Sequence, residues 1–141
     1  MSRIISFRGL LADGAQERIP LQTNKGLVGY RIVKFQIIPQ NAGSADVEGI
    51  MKIYKVQTAV AAGFDFSDNT LLGGAFLSMR DGAYFNEVIV FDNEIFNQDI
   101  YITFKDISTG QSMNYYIELE QIKLDTLQAQ VASLKDLRNN A

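Results

Sequence analysis

The chain has 141 residues, 47% of them hydrophobic, which is the size and composition of one domain with a sizeable core. Thirteen basic and sixteen acidic residues leave a formal net charge of −3, a balance that disfavours binding to nucleic-acid phosphates. Cysteine and histidine are absent, which excludes disulfides, thiolate metal sites and the commonest general base at neutral pH. We therefore expect no enzymatic activity, no catalytic residues, no cofactor and no bound metal. No apolar run approaches the length of a transmembrane helix, so we expect no membrane partner.

Two strands joined by a turn are predicted at the N-terminus. Residues 3–11 are strand-like, and the Ala-Asp-Gly sequence at 12–14 suits a tight turn because Gly adopts positive φ without steric cost. A return strand through residues 17–19 would complete an opening hairpin.

The next predicted strand, GYRIVKFQIIP at residues 29–39, has two apolar faces. Strict alternation places one set of side chains on one face and a second set on the other: Tyr30, Ile32 and Ile38, then Val33, Phe35 and Ile37. We therefore expect this strand to be buried on much of both faces. A small polar loop at residues 40–46 separates it from another strand at 48–56.

A long loop is predicted at residues 58–69, with Phe64 and Phe66 at its tip. Loops of this length in compact domains are often functional or interfacial. Two aromatic rings in an acidic loop can stack on a sugar or enter a pocket of a partner protein. The alternative is that both rings fold back over the end of the sandwich. We include Phe64 and Phe66 among the predicted interface residues.

The second half of the chain predicts four more strands, at residues 71–80, 87–91, 99–105 and 112–122. Asp81-Gly82 indicates a tight turn, and the adjacent Gly73 and Gly74 indicate a bulge or a close approach of another backbone. In the last strand, one set of apolar side chains should point to the core: Met113, Tyr115, Ile117 and Leu119.

Four acids lie between residues 87 and 99, namely Glu87, Asp92, Glu94 and Asp99. Calcium needs several oxygen ligands converging on one point, and the spacing of Asp92 and Glu94 can supply two of them. Acids at these positions also favour turns and protect strand edges. We predict the second, structural role.

After residue 123 the hydrophobic period changes from two to about 3.6, which predicts an amphipathic C-terminal α-helix beginning near Asp125. Its apolar stripe consists of Leu124, Leu127, Val131, Leu134 and Leu137. An isolated helix of this length is marginal in water, so either the sheet of the same chain or another chain must bury the stripe. We expect contact with another subunit and predict these five residues as interface residues.

Taken together, these elements predict a mainly β protein. About eight short strands with turn signals indicate an antiparallel, jelly-roll-like β-sandwich at residues 1–123, followed by the helix and tail at 124–141.

Several segments carry a family resemblance: ISFRG, GYRIVKFQI, FDNEIFNQDIY and NYYIELEQ. The chain resembles short virion-type structural proteins of bacteriophages from marine and freshwater environments, over nearly its whole length. The resemblance implies a virion component that is made in the host cytoplasm and contacts other virion proteins, and it carries no catalytic residues. Because the chain is short for a shell-forming subunit, we expect a capsid decoration or minor capsid protein that forms a homo-oligomer.

Two other functions stay open at this point. The first is a carbohydrate- or receptor-binding module of a phage tail or spike, which would use the loop at residues 64–69. The second is an Asp/Glu-dependent hydrolase, which would need two carboxylates facing one cleft.

Overall fold

The computed structural model describes residues 3–23, 26–42, 46–91 and 94–125, together with residues 131, 132 and 134. The elements it defines are eight β-strands: β1 (Arg3–Leu11), β2 (Gln16–Ile19), β3 (Val28–Pro39), β4 (Val47–Tyr54), β5 (Leu71–Arg80), β6 (Ala83–Val90), β7 (Ile100–Asp106) and β8 (Met113–Lys123). The mainly β class and the number of strands are confirmed.

The strands form two antiparallel sheets packed in a sandwich-like arrangement. The three-stranded sheet has the order β1-β8-β3, and the five-stranded sheet has the order β2-β7-β4-β5-β6. Strands that are distant in sequence are neighbours, since β1 pairs with β8 and β2 pairs with β7.

The predicted opening hairpin is wrong, because β1 and β2 belong to different sheets. The turn at residues 12–14 carries the chain from one sheet to the other and is fixed by β7. The amide of Gly14 donates to the carbonyl oxygen of Phe104 at 2.9 Å. The carboxylate of Asp13 accepts from the amide of Asp106 at 2.8 Å.

The core lies between the sheets and is built from alternating side chains of both. On β8 the inward set is the predicted one, Met113, Tyr115, Ile117 and Leu119, and each of these side chains is buried. It meets core residues of the opposite sheet that include Met51, Ile53, Ile102 and Phe104. This alternation is what an antiparallel sheet with one packed face requires.

β3 contains a β-bulge that reverses its alternation. Its register with β8 shifts between Ile32 and Lys34, so Val33 is the extra residue. Val33 and Ile38 are 40% and 61% exposed. The buried apolar side chains of β3 are Tyr30, Ile32, Phe35 and Ile37. The predicted division of faces is therefore wrong, because the bulge keeps one face toward the core along the whole strand.

Beyond β8 the chain first packs against its own fold. The amide of Leu124 donates to the carbonyl oxygen of Leu27 at 2.8 Å, and the side chain of Leu124 is 6% exposed. Its methyl carbons lie 3.1 Å from where a Cβ on Gly29 would be, so a glycine at this position makes room for them. Leu124 is thus buried within the chain itself.

Most of the predicted C-terminal helix, including Leu127 and Leu137, lies outside the described residues. Val131, Ala132 and Leu134 have helical backbone conformation, and Val131 and Leu134 are 49% and 64% exposed. The helix and its stripe stay predictions. Within the described ranges, no helix combines the length and the apolar character needed to cross a membrane.

Candidate functional site

The predicted long loop connects β4 to β5 and folds back on the five-stranded sheet. Two side-chain turns shape it. One carboxylate oxygen of Asp65 accepts from the amide and hydroxyl of Ser67, at 3.0 and 2.5 Å. One carboxylate oxygen of Asp68 accepts from the amide and hydroxyl of Thr70, at 2.9 and 2.7 Å. Asp and Asn favour turns because they bond to the backbone two residues on, and these bonds return the loop to β5.

A buried lysine on β4 holds the loop to the sheet. The side chain of Lys52 is almost fully buried, and its Nζ donates to the carbonyl oxygen of Gly63 at 2.6 Å. The same Nζ lies 5.6 Å from the ring centre of Tyr54 and 5.9 Å from that of Phe64. Burial lowers the pKa of Lys52, and the negative charge of Asp68 opposes this shift. In the folded protein the ammonium group of Lys52 has therefore given up contacts with water for contacts with one carbonyl oxygen and the faces of two aromatic rings.

Gly74 on β5 makes room for the loop. A Cβ on Gly74 would lie 2.7 Å from Cε1 of Phe64, closer than side-chain carbons normally approach. The group that Gly74 accommodates is therefore the side-chain ring of Phe64, and not the backbone whose close approach was predicted. With Lys52 on the neighbouring strand, Gly74 fixes the loop over the outer face of the sheet.

The two predicted interface rings fold back on the sheet and yet stay at the surface. Phe64 and Phe66 are 39% and 58% exposed. Phe66 makes an edge contact with Phe64 at 6.4 Å between ring centres and a second with Phe91 at 5.4 Å. These are favourable aromatic geometries. The three rings form a partly exposed aromatic surface beside the start of β5.

A pocket of about 350 Å³ opens next to this aromatic surface. Its lining residues are Phe66, Asp68, Asn69, Leu71, Val90, Phe91 and Glu94. Phenyl rings and aliphatic side chains form the apolar part of the lining, and carboxylate and amide groups form the polar part. This combination suits a ligand with an apolar face and a hydroxyl-bearing edge.

The pocket wall at Glu94 is supported by a second buried lysine. The Nζ of Lys55 lies 3.3 Å from a carboxylate oxygen of Glu94, and the side chain of Lys55 is 3% exposed. The amide of Lys55 also donates to the carbonyl oxygen of Thr70 at 2.9 Å. Lys55 therefore joins the end of the loop to the segment after β6.

The four acids considered above have different surroundings. Glu87 is exposed on β6, Glu94 pairs with Lys55, and Asp92 lies outside the described residues. Asp99 accepts from the backbone amides of residues 21 and 22 at 2.8 and 2.9 Å. Among the residues that the structure describes, no three Asp or Glu side chains are grouped in a way that would hold a metal ion.

Sequence reasoning located the loop but missed much of the pocket. Phe91 and Glu94 come from the segment after β6, and the acids near residue 92 were interpreted only as a turn or a metal site. Lys52 and Lys55 were also missed, since both lie within the strand predicted at residues 48–56 and neither was assigned a role. The available signal was that β4 is apolar on both faces around Lys52, which leaves no solvent-facing side for the charge.

No protein-family model matches the chain, and no curated protein matches it at a significant level.

Proposed function

We propose that the chain is a structural component of a bacteriophage virion, a capsid decoration or minor capsid protein that acts through contacts between subunits. The observation that carries the proposal is the strand order. In a jelly roll, an eight-stranded antiparallel hairpin pairs its strands 1-8, 2-7, 3-6 and 4-5, and rolling brings strand 8 beside strand 3 and strand 7 beside strand 4.

The observed pairings support a jelly-roll-like fold. β1 pairs with β8, β2 with β7 and β4 with β5, while β8 also pairs with β3 and β7 with β4. β6 departs from the pattern, because it pairs with β5 and not with β3. Jelly rolls recur in viral capsid proteins and also in lectins, so the fold supports the virion role without being specific to it.

The C-terminal helix belongs to the same proposal. Its stripe would contact another virion subunit, and its described members Val131 and Leu134 are exposed, as such a contact needs. Leu124 anchors the start of the stripe to the fold. Burying a Leu or Val side chain at an interface is worth about 1.5–3 kcal/mol.

Quantitative mass spectrometry of purified virions of a phage that encodes the chain tests the proposal. We expect the protein in washed particles at a constant copy number. Its absence from intact particles would refute the virion role.

Particles lacking the protein should bind the parent chain, while a Val131→Ser, Leu134→Ser double variant should bind weakly. Ile107→Ser is the matched control, since Ile107 is 52% exposed in the connection between β7 and β8 and is not part of the stripe.

A second function is favoured by the pocket, namely glycan binding by a tail or spike module. Phe66 and Phe91 offer ring faces for the apolar side of a sugar, and Asp68, Asn69 and Glu94 offer hydrogen-bonding groups for its hydroxyls. Aromatic faces beside carboxylate and amide groups are the chemistry that a carbohydrate site needs.

Binding to a glycan array, followed by titration with the best glycan, tests this function. Phe66→Ala should weaken binding by about tenfold, because it removes a stacking surface worth on the order of 1 kcal/mol or more. Phe85→Ala is the matched control, since Phe85 is 51% exposed on the same sheet but outside the pocket. A glycan that binds Phe66→Ala as tightly as the parent chain would contradict the assignment of the site.

A further inference from the structure

Four strands lie at the edges of the two sheets, and three of them carry features that protect an edge. β2 has four residues, β3 is interrupted by its bulge and ends at Pro39, and β1 carries Arg3 and Arg8. Short length, bulges, proline and charge all hinder pairing with another chain. β6 has eight residues, AYFNEVIV, with one charge and no proline, and its register with β5 is uninterrupted.

The hydrogen-bonding groups on the free edge of β6 can be assigned. The amide of Phe91 donates to the carbonyl oxygen of Leu72 at 3.0 Å, which places odd-numbered residues in the hydrogen-bonded positions facing β5. Because these positions alternate along an antiparallel strand, Tyr84, Asn86 and Val88 direct their N–H and C=O groups to the free edge. In the described part of the chain, no strand pairs with that edge.

The side chains around this edge are unusually apolar for a surface strand. Tyr84, Phe85 and Ile89 are 64%, 51% and 40% exposed. The ring of Phe85 packs against that of Phe76 on β5, with 5.9 Å between centres. An exposed apolar edge strand of this length is a template for strand addition.

We propose that β6 pairs with β6 of a second copy of the chain, antiparallel and across a two-fold axis, so that two five-stranded sheets become one ten-stranded sheet. Outward-directed residues must face outward-directed residues. This rule leaves two registers with nearly full overlap of the strands, one centred on Asn86 and one centred on Glu87.

The single charge of β6 selects between the two registers. Centring on Glu87 places two carboxylates directly opposite each other, and like charges in that position destabilise a sheet. Centring on Asn86 places Glu87 opposite Phe85 of the second copy and Tyr84 opposite Val88. The strand is therefore compatible with itself in the Asn86-centred register. This dimer goes beyond the proposed functions, since its argument uses only the edge and requires neither a virion nor a glycan.

Single cysteines test the register, because the chain has none of its own. Opposed residues in hydrogen-bonded pairs have Cα atoms about 5.5 Å apart, within the range that a disulfide spans. Asn86→Cys should therefore form covalent dimers under mild oxidation. An equimolar mixture of Asn86→Cys and Val88→Cys should form few mixed dimers, because these two positions oppose each other only in the Glu87-centred register, and both variants keep Glu87. Mixed crosslinking of Asn86→Cys with Val88→Cys that equals or exceeds the crosslinking of Asn86→Cys alone would overturn the proposed register, and no crosslinking of Asn86→Cys would overturn the dimer.

Proline tests the hydrogen bonds of the interface. Asn86→Pro removes an amide directed to the free edge and leaves the ladder to β5 intact, whereas Asn86→Thr keeps the amide. Sedimentation should show a dissociation constant raised at least about tenfold by Asn86→Pro, or about 1.4 kcal/mol, and little changed by Asn86→Thr. Unchanged self-association of Asn86→Pro, or a parent chain that is monomeric at about 100 µM, would overturn the proposal. If Asn86→Pro fails to fold, the cysteine variants decide.

Discussion

Replacing Lys52 with methionine tests whether this lysine holds the loop against the five-stranded sheet or supports the core beneath it. Methionine keeps a long, apolar side chain, so the packing of the buried stem is largely retained. What is lost is the Nζ, which donates to the carbonyl oxygen of Gly63 at 2.6 Å. The variant therefore removes the hydrogen bond that holds the loop while leaving the sheet in place.

The size of the effect follows from two opposing contributions. A hydrogen bond from a charged donor contributes about 1.5–3 kcal/mol, which corresponds to about a 10- to 100-fold change in the population of the open loop. Against this, an ammonium buried to 2% exposure has lost hydration, as the lowered pKa of Lys52 indicates. Apolar replacements of buried charges are often neutral for global stability. We expect the free energy of unfolding to change by less than about 1 kcal/mol.

Limited proteolysis with chymotrypsin measures loop opening, because Phe64 and Phe66 lie in the loop, and urea unfolding measures global stability. Lys52→Met should be cleaved in the loop about 10- to 100-fold faster than the parent chain at nearly unchanged urea midpoint. Lys34→Met is the matched control, since Lys34 is exposed on β3. Unchanged loop cleavage would refute the anchoring role, and a large loss of global stability would show that the lysine supports the core instead.

Three further predictions concern the core. Gly49→Ala should destabilise the protein by about 1–3 kcal/mol in urea unfolding, because the new Cβ would lie 2.5 Å from Cε of the fully buried Met113. Unchanged stability would show that the side chain of Met113 moves aside freely. Tyr115→Phe should lower the free energy of unfolding by about 1–2 kcal/mol, because it removes the 2.9 Å hydrogen bond that the hydroxyl donates to Glu17. The surface control Tyr116→Phe should lower it by less than about 0.5 kcal/mol, and equal losses for the two variants would contradict this reasoning. Burial and Glu17 raise the pKa of Tyr115 above its ordinary value of 10.0, so the native state keeps a proton that the unfolded state releases, and stability should fall as the pH rises past 10.0. In urea unfolding at a series of pH values, Tyr115→Phe should flatten that fall, and an identical slope would contradict the assignment.

Features set by neighbouring residues were predictable from the sequence. The predicted alternation of inward and outward side chains in β8 was correct, because no bulge interrupts the strand. The turn between β5 and β6 was correct because Asp81 and Gly82 are residue types that tolerate positive φ, and their φ values are 51° and 79°.

Features set by distant partners were not predictable. Residues 12–14 do form a turn, but the strand that pairs with β2 is β7, which lies more than 80 residues away. The bulge at Val33 has no local signal, since every residue from Ile32 to Phe35 is acceptable in a regular strand.

The residues of the candidate site also fall into those that local sequence indicated and those that only distant pairing brings together. Phe64 and Phe66 were recognised because two aromatic residues in an acidic loop are conspicuous in a sequence. Phe91 and Glu94 join them only through the pairing of β5 with β6. The buried lysines were missed because their partners are a loop carbonyl and a distant carboxylate.

The pairing of the first strand with the last has a consequence for synthesis. Phe7 on β1 lies opposite Ile117 on β8, so β1 has no partner in its sheet until about 110 more residues have been made. At about 5–20 residues per second this takes about 5–20 s, during which the apolar residues of β1 lack their native cover. β4 and β5, which are close in sequence, can pair much earlier. We expect folding on the ribosome to begin at this inner pair and to end with β1, so chaperones that bind nascent chains should protect β1 longest.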